Sequence, residues 1–227
     1  MKKSVLLKIS AIVSGISGVV ILAGVLVPIL LYQPSPIKGN PEIVSPLAEE
    51  SIDSGEIDYT KASNWFVGGV DEEEFKAETI SYYTLSVPKL KIENATVAIG
   101  GEDLDKHLIQ YPGTALPGKK GNAVIFGHSI LPIFFNPENY LSIFSTLPTL
   151  KKGDEINVGY DGVSYKYRVE NMFEVAPTDI EVLQQNESDS FITLVTCVPP
   201  GDPRKPRRLI VRARIIPLEE ANAFIGN

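Results

Sequence analysis

Residues 191–201 read F-I-T-L-V-T-C-V-P-P-G, an apolar, β-favouring run that ends in the only cysteine of the chain, Cys197. Pro199-Pro200-Gly201 end the predicted strand, because proline cannot donate a hydrogen bond to a sheet. A thiol at a strand end, beside a loop, is held rigidly and can still be reached. A lone cysteine forms no disulfide within its chain, so Cys197 is a buried structural group, a link to another chain or a reactive thiol.

A cysteine nucleophile needs a neighbour that takes its proton, since the thiolate is the attacking species. The chain has two histidines. His128 follows the apolar run A-V-I-F-G at 123–127, so it lies just past the end of a predicted strand, as Cys197 does. His107 lies among polar neighbours in a predicted helical turn. We therefore expect His128 to be the partner of Cys197.

Attack on a carbonyl also needs a donor for the oxyanion that forms. The segment R-K-P-R-R-L-I-V-R at 204–212 enters a predicted strand, and a hairpin back from Cys197 would place an arginine beside the thiol. The same basic cluster could instead bind an acidic surface or phospholipid headgroups. Arg204, Lys205 and Arg214 are interpreted as solvated charges.

Short β-favouring runs recur from residue 82 onward and are separated by Gly, Pro and Asp turns. Asp161-Gly162, between two such runs, predicts a hairpin. The pattern predicts a mostly β barrel or sandwich of about 145 residues with few short helices. The predicted strands are 84–87, 95–99, 123–126, 155–159, 163–174, 190–196 and 208–216, and the predicted helices are 102–110, 137–146 and 179–183.

Residues 9–32 form an apolar stretch of 24 residues without a charge. A helix of that length spans roughly 36 Å, enough to cross a bilayer. Lys2, Lys3 and Lys8 precede it, so the positive-inside rule places residues 1–8 in the cytoplasm and the chain after Tyr32 outside. A cleaved signal peptide has a shorter apolar region of about 7–15 residues, so we predict an uncleaved single-pass anchor in the cell membrane.

The net charge of −7 is concentrated in residues 33–80, which hold eleven acids and three lysines. This segment is predicted to be an acidic linker, with residues 62–80 as a short helix or strap lying on the domain. A basic character typical of nucleic-acid binders is absent. The sequence has no His/Cys ligand cluster and no phosphate-binding glycine loop, so we predict no cofactor or metal. Glu102, Asp103 and Asp105 are interpreted as a solvated loop, with calcium as the less favoured alternative.

Three ordered segments resemble the signatures of the sortase family. T-L-V-T-C at 193–197 resembles the T-L-x-T-C motif, G-H-S at 127–129 is similar to the histidine segment, and R-L-I-V-R at 208–212 resembles the arginine strand. A-P-T-D at 176–179 and Y-P-G at 111–113 agree as well. The resemblance covers residues 82–216.

The resemblance implies a closed eight-stranded β-barrel at 81–218, followed by a tail at 219–227. It also implies a cysteine transpeptidase that cleaves a C-terminal sorting signal, usually L-P-x-T-G, and passes the acyl group to a cell-wall precursor or a pilin lysine. By position, Cys197 is the nucleophile, His128 the general acid/base and Arg208 the oxyanion group. Arg207 is the alternative to Arg208, because one register step exchanges their faces. Thr196 would add a hydroxyl near the bound carbonyl.

The sequence also departs from the family pattern. S-N-W-F at 63–66 has the aromatic residue of a pilin-sortase lid motif without its Asp-Pro, so the resemblance does not imply a lid. V-L-Q-Q-N at 182–186 lacks the acid that calcium-dependent members carry there. The apolar insert at 130–147 either walls a substrate groove or is core. A thiol hydrolase with the same residues, and a non-enzymatic binding domain, are the alternative functions.

Overall fold

The structure is a computed structural model that describes residues 2–30, 57–77 and 79–217, with the side chains of 2–7 and 28–30 excepted. Helix α1 covers Lys2–Leu30. Among the described residues, it is the one helix long and apolar enough to cross a membrane, over Lys8–Val27. The described residues do not include 31–56, which hold the end of the predicted anchor and the first part of the predicted linker. They also do not include the predicted tail, 219–227.

Within the described residues, eight strands form a closed barrel in the order β1-β2-β3-β4-β7-β8-β6-β5. The predicted closed eight-stranded barrel is confirmed. The strands are β1 Ser81–Val87, β2 Ile92–Ile99, β3 Leu108–Gln110, β4 Gly121–Phe126, β5 Glu155–Tyr160, β6 Val163–Val175, β7 Ser190–Val198 and β8 Arg207–Ile215. Helix α2 is Glu72–Phe75, and the 3₁₀ helices are Ala62–Trp65, Pro88–Leu90, Pro132–Phe134, Leu147–Thr149 and Ile180–Leu183.

The sequence missed strand β3, and two of the three predicted helices are wrong. Residues 102–110 contain an isolated bridge and β3 rather than a helix, and residues 137–146 form successive turns. The three residues of β3 are all buried between β2 and β4. A strand so short, buried on both faces, shows no alternation that periodicity could detect.

The barrel brings three chain segments to one rim. Strand β4 pairs with β7 in parallel, with Phe126 opposite Val195. Strand β7 pairs with β8 in antiparallel, with Cys197 opposite Arg208. The end of β4, the end of β7 and the start of β8 therefore meet, and the loop that carries His128 begins there.

The predicted hairpin at Asp161-Gly162 is confirmed and marks the opposite rim. It joins β5 to β6, with Tyr160 opposite Val163. Both turn residues have positive φ, 50° and 73°, which a two-residue hairpin turn requires and which Gly and Asp tolerate. Because β6 ends against Arg208, its start at Val163 lies at the far end of the barrel from Cys197.

Two apolar layers hold the domain together. One fills the barrel, with Leu85, Ile125 and Leu194 among its members. The other covers the outer face of β4, β7 and β8, where residues 57–77, here called the strap, place Trp65 and Phe75 without solvent exposure. Strands β4 and β7 are buried on both faces for this reason, which explains their continuous apolar sequences.

The insert at 130–147 has two halves with different environments. Ile143, Phe144 and Leu147 are buried in the barrel layer, and the Phe144 amide donates to the His128 carbonyl at 3.0 Å. A β-carbon at Gly127 would lie 2.5 Å from the Phe144 ring, so this glycine permits the close packing. Phe134, in contrast, is 62% exposed.

We expect Phe144→Ala to lower the free energy of unfolding by about 3–5 kcal/mol, because it leaves a cavity in the barrel. Phe134→Ala is the matched control from the same insert, and we expect a change within about 0.5 kcal/mol. Denaturant unfolding of the full chain in detergent micelles measures both, with the single Trp65 as fluorescent probe. Equal effects of the two substitutions would contradict the division of the insert into core and surface halves.

Candidate active site

Cys197 and Arg208 face each other across β7 and β8. Side chains of directly opposed residues in an antiparallel pair share one face of the sheet, about 4.5–5.5 Å apart at their β-carbons. Cys197 is 2% exposed and Arg208 is 1% exposed. Cys197 belongs to the outer layer under the strap. The thiol and the guanidinium are therefore neighbours in a desolvated site.

His128 is held at the same strand end by hydrogen bonds from its two chain neighbours. The Gly127 amide donates to the Val195 carbonyl at 3.1 Å, and the Ser129 hydroxyl donates to the Cys197 carbonyl at 2.6 Å. The Thr196 hydroxyl donates to the Gly127 carbonyl at 2.7 Å. Thr196 thus fixes the histidine segment against β7. Its hydroxyl proton is engaged by the Gly127 carbonyl and is not free to donate to a bound carbonyl in this arrangement.

The Arg208 guanidinium is held by peptide carbonyls. Its Nε donates to the Trp65 carbonyl at 3.0 Å, and its Nη1 donates to the Lys205 carbonyl at 2.8 Å. No Asp or Glu in the described part of the chain forms a salt bridge with it. Burying a guanidinium without a carboxylate partner costs free energy of folding. Arg208 is therefore not part of a structural ion pair within the described residues.

Arg207, one residue earlier, has a different environment. Its Nη1 lies 3.2 Å from a carboxylate oxygen of Glu174, which is 1% exposed. Arg207 is opposite Val198 in the sheet, one step past Cys197. The register therefore places Arg208, and not Arg207, across from the thiol.

Trp65 of the strap closes the site from outside. Its indole stacks on Phe126 with ring centroids 5.2 Å apart, and lies 5.7 Å from the His128 ring. The Arg208 guanidinium carbon lies 5.7 Å from the Trp65 ring centroid. One aromatic side chain thus lies near both a candidate base and a candidate oxyanion group, in the same buried layer as Cys197.

Backbone hydrogen bonds fasten the strap on both sides of Trp65. The Leu104 amide donates to the Thr60 carbonyl at 2.9 Å, and the Val67 amide donates to the Pro177 carbonyl at 2.9 Å. Lys61 adds a salt bridge to Glu102 at 3.3 Å. The strap is a folded cover rather than a loose linker.

Burial determines the protonation of the two candidate reacting groups. It lowers the pKa of the His128 imidazole to about 4, and the positive charge of Lys205 acts in the same direction. Burial raises the pKa of the Cys197 thiol, against the opposing charges of Arg208 and Lys205. In the covered site, the thiol and the imidazole are therefore both neutral at neutral pH.

The imidazole has a free nitrogen available for this chemistry. Nε2 of His128 is buried and has no hydrogen-bond partner among the residues that the structure describes. Buried polar atoms are normally paired, and this unpaired one belongs to the segment held against the end of β7, where Cys197 lies. The nitrogen can accept the thiol proton and later return a proton to a leaving group.

Sequence reasoning missed two residues at the site. Lys205 was interpreted as solvated, but its Nζ lies 4.5 Å from the Tyr59 ring centroid and its charge acts on Cys197 and His128. Trp65 was assigned only to a strap of unspecified position. A run of charged residues does not indicate which lysine will pack against the domain. An aromatic residue in an acidic segment does not indicate which surface it will cover.

The remaining candidate residues lie outside the site. His107 packs against Tyr82 and Tyr140, with ring centroids 5.3 and 6.1 Å away. Of the acids considered for calcium, Glu102 binds Lys61 and the Ser63 hydroxyl. Asp103 forms a salt bridge with Lys106.

Comparison with known proteins gives consistent matches. A family model described as Sortase domain matches residues 85–216, more than half of the chain. The chain is similar to a Sortase A of Bacillus anthracis, with 26% identity over 159 residues that cover 69% of this chain and 68% of that protein. Among solved structures, it is similar to a Clostridium perfringens Sortase D5 transpeptidase, with TM-score 0.51 and 27% identity over 60% of this chain and 79% of that one. A lid mutant of Sortase A from Corynebacterium diphtheriae has TM-score 0.52 and 28% identity over 62% of this chain and 74% of that one.

The neutral burial of His128 predicts a specific dependence of stability on pH. The unfolded imidazole takes up a proton below about pH 6.5, whereas the folded one does so only near pH 4. The contribution of His128 is therefore complete above pH 6.5 and is lost as the pH falls to 4, by about 3 kcal/mol in total. Between these two pH values, we expect the free energy of unfolding to fall more steeply with decreasing pH in wild type than in His128→Gln. Denaturant unfolding at a series of pH values measures both. Parallel profiles would contradict a neutral, buried histidine.

The cover formed by Trp65 predicts slow modification of Cys197. We expect Trp65→Ala to raise the rate of iodoacetamide alkylation at least about tenfold, because loss of the indole favours opening of the strap. Val67→Ala, at a strap residue that is 50% exposed, is the matched control and should leave the rate unchanged. Intact mass measures the single thiol directly. If the Trp65 variant reacts no faster, the strap does not limit access.

Proposed function

The chain belongs to the sortase family, whose members are cysteine transpeptidases, and on that premise we propose that Cys197, His128 and Arg208 are its catalytic residues. The proposed substrate is a C-terminal sorting signal of the L-P-x-T-G kind on an exported protein. The proposed acceptor is an amine, on a cell-wall precursor or on a pilin lysine. Cys197 would hold the substrate as a thioacyl intermediate between the two.

The observation that carries the proposal is the carbonyl bound by Arg208. A buried guanidinium, directly across the sheet from the only thiol, donates to the Trp65 carbonyl at 3.0 Å and has no carboxylate partner in the described residues. The strap carbonyl stands where the carbonyl of a bound peptide would be held. A substrate that displaces the strap would present its own carbonyl to the same donor, beside the thiol.

The proposed reaction follows from the neutral resting pair. As Cys197 attacks the scissile carbonyl, its proton passes to Nε2 of His128, and the new oxyanion is stabilised by the Arg208 guanidinium. The imidazolium then gives that proton to the leaving amine as the peptide bond breaks. An acceptor amine reverses these steps: it loses a proton to His128, attacks the thioester and releases the Cys197 thiol.

Transfer to an amine and hydrolysis differ only in the group that attacks the thioester, an amine or a water molecule. The thiol hydrolase remains the second enzymatic candidate, because the same three side chains would serve it. A non-enzymatic binding domain does not account for an unpaired, buried Nε2 at the strand end that carries the thiol.

We also propose the placement of the chain in the cell. Helix α1 is apolar over Lys8–Val27 and is preceded by lysines at its N-terminal end. Positive charge is retained on the cytoplasmic side. The barrel would then lie outside the cell membrane, attached through an uncleaved helix.

The catalytic assignment predicts the order of three substitutions. With sorting peptides and an amine acceptor, Cys197→Ala should abolish the thioester, and His128→Ala should lose nearly all turnover because the leaving amine has no proton donor. Arg208→Lys keeps the charge but loses the guanidinium fork, so we expect a fall of about 10²–10³ in kcat. Product masses distinguish amide transfer from hydrolysis.

Arg207→Lys is the matched control, since it makes the same chemical change one register step away and keeps the charge opposite Glu174. We expect it to retain most of the wild-type kcat. The reverse result, a nearly inactive Arg207→Lys with an active Arg208→Lys, would exchange the two roles. Activity in both variants would refute the arginine assignment, and an active Cys197→Ala would refute the proposed function.

A further inference from the structure

The exposed half of the insert after His128 forms an apolar tip. Residues 131–135 read L-P-I-F-F, and their centre is the 3₁₀ helix Pro132–Phe134. Ile133 is 69% exposed and Phe134 is 62% exposed. Single exposed apolar residues are ordinary on soluble proteins, so exposure alone assigns no function. The position and the rigidity of this tip carry the inference.

The tip is fixed to the catalytic rim. The Phe134 amide donates to the Leu131 carbonyl at 2.9 Å, and the Ile130 amide donates to the Ser145 hydroxyl at 2.9 Å. Leu131 packs on the turn that follows Cys197, since a β-carbon at Gly201 would lie 2.6 Å from its side chain. The tip therefore moves with the barrel and cannot fold its two large side chains into the core.

The tip also lies against the membrane-spanning helix. A β-carbon at Gly24 would lie 3.8 Å from Cδ1 of Ile133. Helix α1 is exposed from Lys8 to residue 23 and is partly covered only at residues 24 and 25 within its described side chains. Gly24 lies in the second half of the uncharged stretch 9–32, eight residues before its last residue, Tyr32. The contact is thus in the outer half of the predicted span.

We propose that Ile133 and Phe134 insert into the outer surface of the lipid bilayer beside the anchor, and hold the catalytic rim against the membrane. Apolar side chains of interfacial segments bury about 5–10 Å into the boundary between headgroups and acyl chains. The contact with Gly24 places the tip beside the outer half of the predicted span. The occupant of this surface is lipid, because the tip is continuous with a helix face that must itself contact acyl chains. The inference rests on the anchor proposed above and is independent of the catalytic assignment.

Insertion of the tip would fix the height of the catalytic rim above the membrane. With the tip inserted, the rim that carries His128 and Cys197 stays at the lipid surface.

Spin labels on the full chain in phosphatidylcholine–phosphatidylglycerol vesicles test the proposal. Cys197→Ala removes the only native thiol, so a cysteine introduced at Phe134 is labelled uniquely. Ile16→Cys, within the span, is the positive control. Val163→Cys, 48% exposed at the opposite rim, is the matched apolar control. We expect the labels at 134 and 16 to collide with oxygen in preference to a water-soluble nickel chelate, and the label at 163 to show the reverse.

A second measurement does not depend on a label in the tip. Energy transfer from a fluorophore at position 163 to an acceptor on the lipid headgroups reports the height of the barrel. We expect Ile133→Ser with Phe134→Ser to lower the transfer efficiency, because the barrel leaves the surface. Both residues are exposed, so the pair of substitutions leaves the core intact.

Three results would overturn the inference. A label at 134 that is as accessible to the chelate as the one at 163 would exclude insertion. Spin–spin coupling between labels at 134, lost on dilution with unlabelled chain and without oxygen preference, would assign the tip to a second copy of this chain. A water-exposed label at 16 would refute the anchor, and the inference with it.

Discussion

Parallel pairing of β4 with β7 is the constraint on which the site depends. It aligns two strand ends that are far apart in the chain, so that Gly127 and Ser129 both bond to the end of β7 and His128 is held between them. A shift of one residue between β7 and β8 would turn Cys197 into the barrel interior, opposite Arg207 instead of Arg208. The barrel prevents that shift, because each strand face is already filled by one of the two apolar layers.

The same two layers explain which parts of the fold the sequence could predict. Seven of the eight strands were evident, because each strand is a run of β-favouring residues bounded by turns. The rim was predictable too, since the apolar runs before His128 and Cys197 both end where the sheet ends. Strand β3 was not predictable, because its three residues are all buried and show no alternation of apolar and polar side chains. The position of Trp65 was not predictable either, since its carbonyl meets Arg208 across 143 residues of sequence.

The strap changes what the sequence implied about the chemistry. Motif spacing places a thiol, an imidazole and a guanidinium together but gives no protonation states. Burial under Trp65 provides them, since it lowers the pKa of His128 to about 4 and raises that of Cys197. A neutral pair avoids the cost of two buried charges in the resting site. In the proposed reaction, charge separation would then wait for a substrate carbonyl to receive the electrons.

The burial of Cys197 also has a consequence for the lifetime of the protein. In the proposed location outside the cell membrane, an unpaired thiol has no glutathione pool to reduce it, and oxidation beyond the sulfenic acid is in general irreversible. Peroxide reacts with thiolates that solvent can reach. A protonated thiol that is 2% exposed meets neither condition. Under the proposed function, the strap would therefore also preserve the only sulfhydryl of the chain between turnovers.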